Sequence, residues 1–165
     1  MVPYNKPMNE QLPQVFIGSD HGGFSQKELI RSYLLTEGYQ VTDCGTYTRE
    51  STDYPDFALA VCKAVVSHSF SFGILLCRSG EGMEMAANKV HKIRAALVWT
   101  AQVAAETRHD NDANVLVLPS DFITDAQATE IARAFLATEF SHEERHQRRI
   151  DKITTLEQTA YRHES

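Results

Sequence analysis

Five short apolar runs, each closed by a turn and followed by a stretch of helical spacing, constrain this chain more than any other feature of it. The runs are Gln14-Val15-Phe16-Ile17-Gly18, Tyr39 to Cys44, Phe72-Gly73-Ile74-Leu75-Leu76-Cys77, Ile93 to Val98 and Asn114-Val115-Leu116-Val117-Leu118. The first of these is short, apolar and closed by Gly, as expected of a strand covered on both faces, the third is the most continuously apolar, and the others read as further strands. Between them, Leu29, Ile30, Tyr33 and Leu34 recur at helical spacing, with Gly38 where a C-cap falls. Pro55 opens a second helix carrying Phe57, Leu59, Val61, Cys62 and Val65. Further helices are expected from Met83 to Lys89, Ala101 to Arg108 and about Asp125 to Leu136. A strand-then-helix unit repeated five times calls for crossover connections. The expected fold is therefore α/β, a Rossmann-like three-layer sandwich with a five-stranded parallel sheet.

The remaining segments are read by what they lack. Pro3, Pro7 and Pro13 lie among polar residues, so residues 1–13 are expected to be a flexible tail, with residues 14–165 as a single domain. With 165 residues, 42% of them hydrophobic, the chain can fill one substantial core and is short for two. Residues 141–162 are charged and carry few apolar positions, so this helix is expected on the surface or extending to a partner subunit. The net charge of −6, without a compensating Lys/Arg run, argues against nucleic acid as a partner. The three cysteines, Cys44, Cys62 and Cys77, form no CxxC pair and no disulfide framework. Neither an export segment nor a run of membrane-spanning length is legible, and a cytoplasmic protein is expected.

In a parallel sheet, ligands collect beyond the carboxyl ends of the strands. That rule selects residues 19–23 and 77–82 and, as read from the sequence, the stretch from Asp110 to Asp112. Cys77 closes the most apolar strand just before a glycine turn into a helix. Backbone N–H groups and a helix dipole there are expected to lower its pKa and make it a base or nucleophile. The alternative is a structural core thiol. Gly80 and Gly82 allow close backbone approach, so the amides of Arg78, Ser79, Gly80, Glu81 and Gly82 could stabilise an oxyanion. Glu81 is a second candidate base. The loop matches neither a Walker A motif nor a dinucleotide fingerprint, so neither ATP nor NAD is inferred. Asp20 could accept hydrogen bonds from sugar hydroxyls or cap the helix that follows, and His21 could donate to a hydroxyl or phosphate. Arg145 and Arg149 share a helix face and can grip one phosphate, or they are simply solvated. His142 and His146, one turn apart, lack a placed third ligand, and no metal site is assigned.

Taken together, these motifs resemble the RpiB/LacAB family of sugar-phosphate isomerases. The resemblance runs from about Val15 to Ile153. It is carried by Ile17-Gly18-Ser19-Asp20-His21-Gly22-Gly23-Phe24, Asp43-Cys44-Gly45-Thr46-Tyr47, Thr52-Asp53-Tyr54-Pro55 and the Cys77 loop through Ala86-Ala87-Asn88-Lys89. Ile93-Arg94-Ala95-Ala96, Asn111-Asp112-Ala113-Asn114-Val115-Leu116 and Arg145-His146-Gln147-Arg148-Arg149-Ile150-Asp151 complete it. The resemblance implies interconversion of an aldose and a ketose phosphate, typically ribose 5-phosphate and ribulose 5-phosphate, without metal or organic cofactor. It further implies Cys77 as the proton-shuttling base, residues 78–82 as the enediolate cradle, and Asp20, His21 and Asn111 as sugar contacts. Arg145 and Arg149 would hold the phosphate, in a homodimer, or a tetramer built from dimers, with sites at the subunit interface.

The chain departs from the family pattern at three positions. Asp110 stands where the family has its ring-opening His, with His109 one residue earlier. Asp121 stands where an Arg is common, and Arg78 replaces a small residue. Ring opening is therefore open between Asp110, His109 and His21, and Arg78 is expected to pair with Asp110 or Asp121 or to replace a phosphate contact. These departures also keep open an isomerase of allose, galactose or erythrose phosphate, and a catalytically impaired sugar-phosphate binding protein.

Overall fold

The computed structural model describes residues 12–160, so most of the expected tail and the end of the expected last helix lie outside the described residues. The five expected strands and their following helices are all present. They run β1 (Gln14–Ser19), α1 (Phe24–Thr36), β2 (Gln40–Asp43), α2 (Tyr54–Ser67), β3 (Ser71–Cys77), α3 (Glu81–Ala87), β4 (Ala95–Leu97), α4 (Ala101–Asn111), β5 (Val115–Pro119), α5 (Asp125–Ala137) and α6 (Glu144–Ala160). The strands form one parallel sheet in the order β2-β1-β3-β5-β4.

Strand alternation divides the apolar residues between two cores. Val15, Ile17, Ile74, Leu76, Leu116 and Leu118 pack beneath α1, α4 and α5, together with Ile30, Ile131 and Phe135. Phe16, Leu75, Cys77, Val115 and Val117 point to the opposite face, where Val61, Cys62 and Met83 of α2 and α3 cover them. Both faces of β1, β3 and β5 are thus dry, which is why these strands read as unbroken apolar runs. The connections β1→β2 and β4→β5 share one face of the sheet. Those from β2 to β3 and β3 to β4, which run the other way, share the opposite face, as a single handedness of crossover requires.

Element ends depart from expectation where local chemistry wins. The edge strand β4 has only three residues: the Arg94 N–H before it donates to the Asn114 side chain and its guanidinium to Asp112, while its carbonyl still accepts from the Asn114 and Val115 N–H groups. The last helix begins at Glu144 rather than 141, because Ser141 and His142 are held outside helical geometry: Ser141 N–H donates to the His109 carbonyl and His142 has φ of 54°. Helix α4 continues three residues past Arg108, through His109, Asp110 and Asn111, and ends on Asp112 in the left-handed conformation.

That extension corrects one sequence expectation. Helix α4 runs back from the carboxyl end of β4 to the amino end of β5, so residues 110–112 lie at the amino end of the sheet. The Gly73 N–H donates to the Asn114 carbonyl there, and Gly73 precedes Cys77 by four residues, about 13 Å along the strand. The carboxyl-end rule applies to segments that follow strands, and this segment precedes one.

Candidate active site

The loops after β1 and β3 leave the sheet toward opposite faces, opening a crevice between neighbouring strands. Cys77 ends β3 with its side chain on the α2/α3 face, 5% exposed. The next turn closes because Gly80 takes φ of +81°, where a Cβ would strike the Leu97 side chain. In that turn the Gly80 N–H donates to Cys77 Sγ at 3.2 Å. The expectation of a lowered thiol pKa is overturned. Burial is the largest influence and raises it, the Met83, Gly80 and Ser79 N–H groups oppose that rise, and the Asp20 charge adds to it. Cys77 is thus a neutral thiol at rest, facing donors that favour its anion.

Asp20 is buried beside this turn, and its Oδ1 accepts from the N–H groups of Gly22 at 2.9 Å and Gly23 at 3.1 Å. The carboxylate shapes its own loop, while the N-cap of α1 is Gly23. His21 Nδ1 accepts from the Thr52 N–H at 3.3 Å, which leaves Nε2 to carry the proton and donate outward. Ser79 is half-buried and Glu81 exposed at the start of α3. Gly82 is tightly covered by the Tyr54 ring, which a Cβ there would meet at 2.6 Å. Tyr54 belongs to a quoted motif, but nothing in its spacing assigned it to this loop.

Arg78 pairs with Asp121, Nε to Oδ2 at 2.8 Å, and not with Asp110. The Asp121 N–H also donates to the Arg78 carbonyl at 2.9 Å, so the loops after β3 and β5 are tied by backbone and side chain. The Arg78 stem lies where a Cβ on Gly22 would be, which adds the loop after β1 to the same contact. Beneath these loops, fully buried Lys27 donates to Asp43 Oδ2 at 2.6 Å and to the Thr46 carbonyl at 2.8 Å. Gly45 and Thr46 in turn bond the Ser19 backbone, at 2.7 Å each. Lys27 is a positioning residue that a polar helix position did not reveal from sequence.

A second cluster lies at the amino end of the sheet, where α4 finishes and α6 begins. His109 Nδ1 meets Asp110 Oδ1 at 2.7 Å, so adjacent side chains converge at the helix end although their Cβ directions differ. The hydrogen bond from His109 is the main reason the Asp110 carboxyl titrates below its usual range, with His146 and Arg145 assisting. His146 is buried between the helices, with Nδ1 2.8 Å from Ser141 Oγ and 3.5 Å from Asp110 Oδ1. Arg145 and Arg149 are exposed on α6, and Arg145 Nε pairs with Glu143 Oε2 at 2.7 Å. Asn111 is exposed at the same end. The structure therefore gathers Asp20, His21 and residues 77–82 at one end of the sheet, and His109, Asp110, Asn111, Arg145 and Arg149 at the other.

A parallel α/β sheet with a thiol and an amide cradle at its switch point defines a class of enzymes that work on small polar ligands, and comparison with known proteins narrows it. The chain belongs to the Ribose/Galactose Isomerase family, whose profile matches residues 15–153. It is 45% identical over 145 residues to a probable ribose-5-phosphate isomerase B of Mycoplasma genitalium, covering 87% of this chain and 95% of that one. It is 39% identical over 147 residues to ribose-5-phosphate isomerase B of Mycobacterium tuberculosis, covering 88% and 91%. Among solved structures, the M. genitalium enzyme with bound ribulose-5-phosphate superposes with a TM-score of 0.85 at 42% identity, over 90% of this chain and 99% of that one. The Trypanosoma cruzi type B enzyme gives 0.87 at 41% identity, over 91% and 99%. The chain is an isomerase.

Proposed function

We propose that this chain interconverts ribose 5-phosphate and ribulose 5-phosphate, with Cys77 moving one proton between C2 and C1 through an enediolate. The observation that carries the reading is the Gly80 N–H at 3.2 Å from Sγ, within a turn whose Ser79 and Met83 amides also favour negative charge there. A proton beside a carbonyl is weakly acidic, so its base must act together with donors for the developing oxyanion. Asp20 and His21 contact the sugar hydroxyls, and the Cys77 thiolate takes the C2 proton and returns it to C1. No electrons leave the substrate, so the step needs no redox cofactor.

The groups at the amino end of the sheet reach a Cys77 loop from a second copy of the chain. Arg145 and Arg149, one turn apart, grip the phosphate, and Asn111 contacts the sugar. Asp110 is held as a carboxylate by His109 and makes a poor proton donor, so His109, oriented by Asp110, opens the furanose ring. The docking face is the groove of about 630 Å³ between β4, α3 and α6, where Ile153 and Leu156 are exposed. An isomerisation assay in D₂O tests the reading. Solvent deuterium should enter at C1 or C2, and Cys77→Ala should lower turnover by about 10²–10⁴-fold. Full turnover in Cys77→Ala would sink it.

A further inference from the structure

We propose that His109, Asp110 and His146 form a binding site for a divalent transition-metal ion, zinc in particular, at the junction of α4 and α6. One donor atom from each residue lies within 4.8 Å of the other two. A tetrahedral zinc site with bonds of about 2.0–2.2 Å holds its donors about 3.3 Å apart. Two of the three separations bracket that figure, 2.7 Å from Asp110 Oδ1 to His109 Nδ1 and 3.5 Å to His146 Nδ1, and the two imidazole donors stand within 4.8 Å of each other. Closing on an ion thus asks for movements of about one to two ångströms, and the two half-exposed side chains, His109 and Asp110, can supply them. His146, only 2% exposed, is the fixed ligand on which the others converge.

The donor set selects the ion. Two imidazoles and one carboxylate suit zinc and its transition-metal neighbours, whereas magnesium and calcium prefer all-oxygen sites. Three protein ligands leave a fourth position for water or a ligand oxygen. Two features oppose the ion. The nearest cation on α6, Arg145, is paired with Glu143, which offsets its charge. Ser141 Oγ shares the His146 Nδ1 at 2.8 Å and must rotate away, which a single hydroxyl rotor can do. Helical spacing alone suggests His142 with His146, but His142 adopts φ of 54° and packs its ring edge against Phe140 at 4.9 Å, outside the cluster. His142 is therefore a control built into the chain.

The proposal does not depend on the substrate assigned above, and its test does not require turnover. Calorimetric titration of the full chain with zinc chloride, and of cobalt(II) by its tetrahedral absorption bands, should give one ion per chain. His109→Ala and Asp110→Asn should each weaken binding by at least about tenfold, the loss typical of removing even an outer-sphere partner, while His142→Ala should bind as wild type. Equal binding by all four proteins, loss in His142→Ala alone, or no binding by the wild type overturns the site. In a parallel turnover assay, saturating zinc should suppress ribose 5-phosphate isomerisation. Binding at the cluster with unchanged turnover would instead overturn the role given to His109 in ring opening.

Discussion

At the residue scale, Cys77 is governed by two opposed environments: a dry strand end that favours the thiol, and a ring of amides that favours the thiolate. Because burial is the larger, the folded-state pKa lies above the ordinary thiol value. A base that must be ionised makes kcat/KM rise with pH, with its half-maximum above the usual cysteine range of about 8.5. Asp20 contributes to the rise, so Asp20→Asn should move that limb to lower pH while weakening substrate binding. A limb that stays in place would remove Asp20 from the electrostatics of the thiol. The same sign governs stability. A thiol whose folded pKa is raised stabilises the fold fully below its unfolded pKa and loses that contribution as pH climbs through the folded one. Cys62, pushed up to about 12 by burial, follows this pattern as a plain core residue. Arg78 and Asp121 are exposed at 70% and 42%, so solvent screens their pair and Arg78→Ala should leave the denaturation midpoint essentially unchanged.

At the element scale, the strands and helices were legible because both signals were strong: unbroken apolar runs for β1, β3 and β5, and Leu29 to Leu34 spacing for α1. Ends were less so. The start of α6 depends on Ser141 bonding the His109 carbonyl, 32 residues away in sequence, and the end of α4 on Asp112 meeting Arg94 and Arg108. No local pattern carries such information. The Cys77 loop was legible as a turn, whereas the direction of its pKa depended on how completely α2 and α3 cover it. Lys27 shows the same limit, being a charged helix residue that the fold buries under Asp43 and Thr46. Removing one partner of a buried pair leaves an uncompensated charge, so Lys27→Ala should cost about 3–5 kcal/mol, read by urea denaturation. A loss below about 1 kcal/mol would mean that the 43–47 loop is held by its backbone bonds alone.

At the scale of the whole molecule, the decisive fact is that α4 carries its last residues to the end of the sheet opposite Cys77. Sequence could align His109 to Arg149 with a family pattern, but only topology separates them from the thiol. Mixing unlike variants tests the proposed two-chain site. In a dimer of a Cys77→Ala chain with an Arg149→Ala chain, one site receives both defects and the other neither. Random pairing makes half the dimers mixed, so two nearly inactive proteins together should recover about a quarter of wild-type activity. No recovery, with mixed dimers demonstrated, would place all these residues in one chain's site.

The seat of Arg78 on Gly22 has a meaning for how such chains diverge. The two positions share one volume across loops that are 56 residues apart in sequence, and a side chain at 22 can exist only if the stem at 78 recedes. Histories that enlarge one must first shrink the other, so Gly22→Ala should be poorly tolerated in this background and rescued by a small residue at 78. The entrance to the site then evolves as a coupled pair, and the arginine that looks like an isolated oddity in the sequence is half of an exchange.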